Sequence, residues 1–491
     1  MYVHTSPLAK FFCIKHRSAL SCSPSKAKLA HTRAMPGRIR EQLQGLIERD
    51  KKGGELVQAD LQGNDVEYMD RVFVASKEAA SSGKHQSIEP YSNVLKLTDG
   101  SEHERQQWSR HGLGLVAQGK AAILLLAGGQ GTRLGSPLPK GCMDVGLPSG
   151  KTLFQVQAER ILKLQQLASQ EHHQQQPPKP MRWLIMTSPF THKDTLSHFQ
   201  QHNYFGLQPS QVSFFQQGWL PCFTENGELI LETPCTVAKA PDGNGGVFLA
   251  LHKSGLLDML AQEGVESVDC YCVDNLLARI GDPQFLGYCH SHGAEVGARV
   301  VARAHVQEKV GVFATRGGEL SVVEYSELTP EQAGACDPST GELQFKWSNI
   351  CMHYFSVSWL QKVHAHLAQG TAYHIARKQI PSKDGPVQGI KLELFIFDPF
   401  PTANKVALME VARSEHFAPV KNARGSASDT PDTARDAFLA LGAKWLQDAG
   451  AKLELPPGCA GVEVPAAVSY GGEGLRGLVG GKVVAGDLLQ P

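Results

Sequence analysis

The densest concentration of phosphate-handling residue types lies between Leu124 and Gly141, in LLLAGGQGTRLGSPLPKG. An apolar run ends in Gly128, Gly129 and Gly131, followed by Thr132 and Arg133 and then by Pro139, Lys140 and Gly141. Glycines let a backbone approach a phosphate or a base with no Cβ in the way. Successive backbone N–H groups there form a concavity that holds an anion. Arg133 adds a bidentate phosphate donor, and Lys140 a second positive charge on a flexible stem. Together these residues suit a polyphosphate on which negative charge develops. Spacing excludes two other glycine-rich motifs. A dinucleotide fingerprint needs a third glycine where Leu134 stands and an acid after the next strand, which instead ends Thr187-Ser188-Pro189. A Walker A loop needs Gly-Lys-Ser/Thr four spacer residues after its first glycine, and no segment has that spacing.

The elements around this loop predict where the chemistry sits. Ala122 to Leu126 reads as a buried strand. Thr152-x-x-Gln155 offers a capping box to a helix carrying Leu153, Val156, Arg160, Ile161, Leu164 and Leu167 at helical spacing. Trp183 to Thr187, Val212 to Phe215 and Val268 to Val273 read as further strands, with a helix over 191–202. Strands separated by helices indicate an α/β fold with a mixed, mainly parallel central sheet. Ligands then bind beyond the carboxyl ends of the strands, which points to the turns after Leu126 and Phe215 and to Asp274-Asn275. Residues 310–360 read as antiparallel: a hairpin through Arg316-Gly317-Gly318, then the strand region GELQFKWSNICMHYFS. A charged helical pattern starts at Arg38 and predicts a small helical unit packed on the main domain. The Gly- and Val-rich last 45 or so residues predict a small β-rich appendage.

Composition bounds the function. The chain has 491 residues, 42% hydrophobic and 20% charged, with 48 basic and 48 acidic side chains. It is too apolar and too balanced in charge for a disordered protein. It lacks the basic surplus of a nucleic-acid binder, and no apolar stretch is long enough for a membrane span. The zero net charge is a sum of unlike parts. Residues 1–40 hold eight Lys/Arg and no Asp or Glu, so the remaining 451 carry 40 basic and 48 acidic residues. A mildly acidic body that binds polyphosphate needs local positive charge and a cation at its site. Three readings fit the basic leader: a transit peptide for a plastid or mitochondrion, a disordered tail, or a true start at Met35. Eleven scattered cysteines without a Cys-x-x-Cys read as buried thiols of a reducing compartment. Cys270 and Cys272 are expected on one strand face.

Beyond the loop, the segments DVGLPSGKTLFQVQAERILKLQ, FFQQGWLPCF, APDGNGGVF, YCVDN, VEYSEL, GIKLELFIFD, FAPVKNA and GVEV…SYGGEGL resemble eukaryotic UDP-N-acetylglucosamine pyrophosphorylases (UDP-N-acetylhexosamine diphosphorylases), of plant type. The resemblance spans roughly residues 105–475. It implies a Rossmann-like nucleotidyltransferase domain over 111–400, after a leader at 1–40 and a helical region at 41–110, and before a small C-terminal α+β domain at 401–491. It implies the reaction of UTP with N-acetylglucosamine 1-phosphate to give UDP-N-acetylglucosamine and diphosphate, with Mg²⁺ (Mn²⁺ as a substitute) and in-line attack on the α-phosphorus. A broad UDP-sugar pyrophosphorylase that also takes N-acetylgalactosamine 1-phosphate or glucose 1-phosphate is the alternative. By the same resemblance, Leu126, Ala127, Gly128 and Gly129 hold the uridine and its neighbouring phosphate, while Gln217 and Gly243 meet the uracil. Arg133, Lys140 and Lys421 act on the triphosphate as the catalytic cations, and Lys391 is a further UTP contact. Asp274 binds Mg²⁺ near the ribose, and Asn244, Glu324 and Asn349 recognise the sugar. Ser348 stands where some animal members carry glycine. The expected setting is cytoplasmic, with the plastid or mitochondrion as the alternative, and the expected state is a monomer or dimer.

Overall fold

Six consecutive apolar residues, Ala121–Leu126, form a strand buried on both faces, as a parallel strand sandwiched between helices must be. It lies inside an 11-stranded sheet of the computed structural model, which describes residues 37–489 apart from 62–64, 83–86, 97–98 and 173–178. Most of the expected leader at 1–40 falls outside the described residues. Eight strands make the main path: β1 (Val94–Leu95), β2 (Ala121–Leu126), β3 (Trp183–Thr187), β4 (Val212–Gln216), β5 (Ser267–Cys272), β6 (Val296–Ala302), β7 (Trp347–Ser356) and β8 (Val406–Glu410). Their order is β1-β8-β6-β7-β5-β2-β3-β4. β5, β2, β3 and β4 run parallel, as do β1, β8 and β6. Only β7 breaks the direction, pairing antiparallel with both β5 and β6. The sheet is therefore mixed and mainly parallel.

The hairpin expected around Arg316-Gly317-Gly318 is present as Val312–Arg316 and Glu319–Val323, and it joins the sheet through β7. The expected helix after Thr152 is Leu153–His172. Thr152 accepts from the Gln155 N–H at 3.3 Å, but the Gln155 amide turns to Glu159 (3.2 Å), so only half of the capping box forms. Three helices, Arg38–Arg49, Lys51–Asp60 and Val66–Ser82, make the N-terminal unit. β1 from the 41–110 region and β8 from the 401–491 region both add to the central sheet, so chain from each flank completes the main domain. Past β8, the helix Pro431–Asp448 carries a two-stranded parallel sheet of Lys452–Glu454 and Val483–Ala485.

One ion pair is sealed inside the sheet. Arg299 on β6 and Asp269 on β5 are both fully buried and 2.6 Å apart. The second Asp269 oxygen accepts from the Gly281 N–H at 2.8 Å, and Arg299 also donates to the Arg279 carbonyl at 2.5 Å. Buried charges persist only when paired and hydrogen-bonded; here both Asp269 oxygens are taken, while the Arg299 Nε has no hydrogen-bond partner among the described residues. The pair ties β5 and β6 to the loop that follows β5, where Asp274 lies.

Candidate active site

The carboxyl ends of β2, β3, β4 and β5 open into one cavity of about 570 Å³. Nine of the expected site residues line it: Leu126, Gly128, Gly129, Lys140, Gln217, Gly243, Asn244, Asp274 and Lys391. The remaining five, Ala127, Arg133, Glu324, Asn349 and Lys421, lie outside that lining. Ala127 is buried beneath it, its N–H bonded to the Met186 carbonyl (2.8 Å) and its own carbonyl taking the Thr191 hydroxyl (3.3 Å).

The glycine-rich loop is folded back on itself by a bridge between Gln130 and Pro139. Its glycines do different things. A Cβ at Gly129 would meet nothing within 4 Å, so its backbone is open to a ligand, whereas a Cβ at Gly128 would lie 2.1 Å from the Gln217 Oε1. Gly128 therefore makes room for a protein amide, and Gly129 for the ligand. A Cβ at Gly141 would strike the fully buried Phe154 ring at 2.2 Å. That contact presses the short turn Lys140–Cys142 onto the helix Leu153–His172 and fixes where Lys140 starts. Arg133 sits exposed in the turn Thr132–Leu134.

Asp274 follows β5 in a loop clamped from two sides. From the helix below, Gln157 donates to the Val273 carbonyl (3.1 Å), and the buried Arg160 donates to the Leu276 and Ala278 carbonyls (2.8 Å each). On the other side lies the segment 416–421. The Val420 N–H bonds the Asp274 carbonyl at 2.9 Å, and the Leu276 N–H bonds the Ala418 carbonyl at 3.1 Å. The buried Asn275 staples the two together, donating to the His416 carbonyl (2.7 Å) and accepting from the Ala418 N–H (2.9 Å). Lys140 closes the arrangement, its Nζ lying 3.6 Å from the Asp274 carboxylate and 3.2 Å from the Val420 carbonyl. Lys421 is delivered beside this group, its ammonium 5.4 Å from the centre of the Phe417 ring.

The three residues expected to meet the sugar stand on separate elements, of which only Asn349 is on β7. Asn349 accepts from the Cys351 N–H (3.0 Å), and the Cys351 sulfur lies 3.0 Å from that of Cys272, which lines the cavity. Glu324 follows the strand Glu319–Val323. Burial raises its pKa above the usual carboxyl range, with Glu327 adding to the rise and His374 and Lys421 opposing it. Asn244 already accepts from the Ile396 N–H (3.0 Å), which leaves its amide N–H groups for a ligand. Ser348 is fully buried and, by the alternation along a strand, projects to the face opposite Asn349. Its difference from glycine therefore acts on the face away from Asn349.

Several site residues had no sequence signal. Lys239 lines the cavity and is held by Asp60 (2.6 Å) and the Trp219 ring (4.2 Å), which couples the N-terminal helices to the site wall. Met186, Phe190 and Pro241 supply apolar walls near Gln217 and Gly243, and Phe190 is 60% exposed. Among the described residues all nine cysteines are free.

A family model described as UTP–glucose-1-phosphate uridylyltransferase matches residues 48–447. The chain belongs to that family. It is 48% identical over 436 residues to UDP-N-acetylglucosamine diphosphorylase 2 of Arabidopsis thaliana, covering 87% of each protein. It is 41% identical to the UDP-N-acetylglucosamine pyrophosphorylase of Saccharomyces cerevisiae, over 81% of this chain and 84% of that one. Among solved structures, the uridine diphosphate N-acetylglucosamine pyrophosphorylase of Trypanosoma brucei in complex with inhibitor superposes with a TM-score of 0.80 at 32% identity, covering 90% of this chain and 93% of that one. The nucleotidyltransferase fold expected from the sequence, and its plant-type character, follow from these matches.

Proposed function

We propose that the chain transfers a uridylyl group from UTP to N-acetylglucosamine 1-phosphate, giving UDP-N-acetylglucosamine and diphosphate. The observation that carries the reading is the cavity itself. A glycine loop open at Gly129, the cations Lys140 and Lys391, the carboxylate of Asp274 and the amide of Gln217 all meet at the strand ends. The apolar end by Met186, Phe190 and Pro241 suits a flat base, and the charged end suits a triphosphate.

The chemistry is attack by the sugar phosphate oxygen on the α-phosphorus, in line with departing diphosphate. Such a transfer asks the protein for alignment and charge stabilisation rather than a covalent intermediate. Lys140 and Lys421 lie where negative charge moves onto the leaving group, and Gly129 gives the backbone access to the phosphates. Arg133, exposed on the loop beside the cavity, reaches the same charge from the solvent side. Asn244, Glu324 and Asn349 supply donors and acceptors to the sugar.

The donor set also fits Mg²⁺. Among the described residues no group of three or more His, Cys, Asp or Glu forms a metal cage. Mg²⁺ in phosphoryl-transfer sites is held by one or two carboxylates together with substrate phosphates, and Asp274 supplies that carboxylate. When bound, the ion neutralises phosphate charge. We place the reaction in the cytoplasm, where UTP and reduced thiols coexist. The test is to incubate the full chain with UTP, Mg²⁺ and N-acetylglucosamine 1-phosphate and to identify the product by mass spectrometry. UDP-N-acetylglucosamine with stoichiometric diphosphate is expected, and UTP hydrolysis without sugar transfer would overturn the reading.

A further inference from the structure

Two thiols meet at the edge of the cavity. The Cys272 S–H donates to the Cys351 sulfur at 3.0 Å, and among the described residues no other two cysteines hydrogen-bond each other. Both side chains are half-buried, and Cys272 lines the cavity two residues before Asp274.

The sheet builds this contact. β5 and β7 pair antiparallel as far as Tyr271 and Met352, and one step further along that register Cys272 faces Cys351. Directly opposed residues of such a pair have Cα atoms about 4.5–5.5 Å apart, inside the range of about 4.4–6.8 Å that a disulfide spans. On its other edge β7 is irregular. Between the pairs Ala298–His353 and Val300–Asn349 it sets Ile350, Cys351 and Met352 against Arg299 alone. Cys351 sits in this bulge with a φ of 54°, a conformation that residues other than glycine seldom adopt. A bulge re-aims a side chain, and here the sulfur is aimed at Cys272.

We propose that Cys272 and Cys351 form a modification site, joined by a peroxide into a reversible disulfide that slows uridylyl transfer. The sulfur of one cysteine attacks a peroxide oxygen, the O–O bond breaks, water leaves and a sulfenic acid forms. The second sulfur attacks the sulfenic sulfur; the S–S bond forms, the S–O bond breaks and a second water leaves. Two protons and two electrons thus pass from the thiols to the peroxide. A small dithiol reverses the step by exchange and is itself oxidised. In a reducing compartment disulfides are of this transient kind. Bonding draws the sulfurs about 1 Å closer. The shift reaches the site from two sides, because Cys272 is part of the cavity wall and the Cys351 N–H holds the Asn349 side-chain oxygen. A displacement of that size can lower turnover by about 10²-fold. The effect on transfer rests on the uridylyltransferase reading, whereas the disulfide does not.

The experiment treats reduced, desalted full-length protein with hydrogen peroxide. One aliquot is capped with iodoacetamide and mapped by peptide mass spectrometry without reductant; another is assayed for UDP-N-acetylglucosamine formation. A linked peptide pair is expected, joined at Cys272 and Cys351 and lighter by two hydrogens than its halves. In the assay kcat/KM is expected to fall at least about tenfold and to recover with dithiothreitol. Cys351→Ala is expected to keep its activity through the same treatment. Should it fail to fold, Cys351→Gly, which suits a positive φ, takes its place. Absence of the linked peptide would overturn the proposal, as would linked protein of unchanged activity or an equal loss in the Cys351 variant. Reduced wild type that forms no UDP-N-acetylglucosamine would instead overturn the functional reading, and the linked peptide would still decide the disulfide.

Discussion

Replacing Lys140 by methionine separates two roles that the structure gives it. The side chain is tethered between the Val420 carbonyl and the Asp274 carboxylate, and methionine keeps its length while removing its charge. At 3.6 Å a pair of unit charges attracts by about 1.2 kcal/mol in water and by about 4.6 kcal/mol at an effective dielectric constant of 20. Lys140 and Asp274 are 17% and 19% exposed, so the ammonium can return to solvent when a cation takes its place. The smaller figure is therefore the one that a cation must overcome, and it corresponds to about sevenfold in affinity. Lys140→Met is expected to bind Mn²⁺ about sevenfold more tightly in the absence of nucleotide, by titration followed with electron paramagnetic resonance. The same variant is expected to lose about 10²–10³-fold in turnover, the usual consequence of removing one donor to transition-state charge. Unchanged Mn²⁺ affinity would refute the competition for Asp274. Turnover within threefold of wild type would refute the phosphate role.

Other perturbations read other parts of the site. Arg133→Ala should lower diphosphate release about 10²–10³-fold while leaving the melting temperature unchanged, because the side chain is exposed; a large fall in melting temperature would contradict this assignment. Arg299→Met strands the buried Asp269 carboxylate, so urea unfolding should show a loss of about 3–5 kcal/mol, largely recovered by adding Asp269→Leu. Burial pushes the Asp242 carboxyl up to about 7, so the native state holds a proton that the unfolded chain has lost between pH 4 and 7. Asp242 thus favours folding most at low pH, and stability falls as pH rises to about 7 and is flat above it, with a slope of up to about 1.4 kcal/mol per pH unit. Asp242→Asn should therefore gain stability relative to wild type more at pH 8 than at pH 5, and the reverse order in urea midpoints would contradict the assignment.

Much of this site could be read from the sequence because its scaffold is written locally. Ala121–Leu126 is an apolar run of strand length bounded by a glycine turn, and Ser267–Cys272 reads as a strand despite Ser267 and Asp269, so the residues that follow them, Gly128 and Asp274, inherit a place at the sheet's carboxyl edge. The contributions made across long sequence separations could not be read in this way. Asn275 reads locally as a turn residue, yet it staples the loop to Ala418, 143 residues away. Asp242 looks like a loop acid until the Gly218 and Gly246 backbones are seen to enclose it. Lys239 is an ordinary lysine without Asp60, 179 residues earlier. Lys421 enters the candidate site through family resemblance alone, since nothing around PVKN announces that this segment lies against Asp274. Gly128 is expected at the uridine by resemblance; it lines the cavity, and its missing Cβ also leaves the room that the Gln217 Oε1 occupies.

Selective uridylyl transfer to an N-acetylated sugar phosphate is decided by one competition assay. Purified full-length protein is given UTP, Mg²⁺ and equal concentrations of N-acetylglucosamine 1-phosphate, N-acetylgalactosamine 1-phosphate and glucose 1-phosphate, and the UDP-sugars are separated and quantified at early times. UDP-N-acetylglucosamine is predicted to dominate the products. Predominant UDP-glucose would contradict a preference for the N-acetylated sugar.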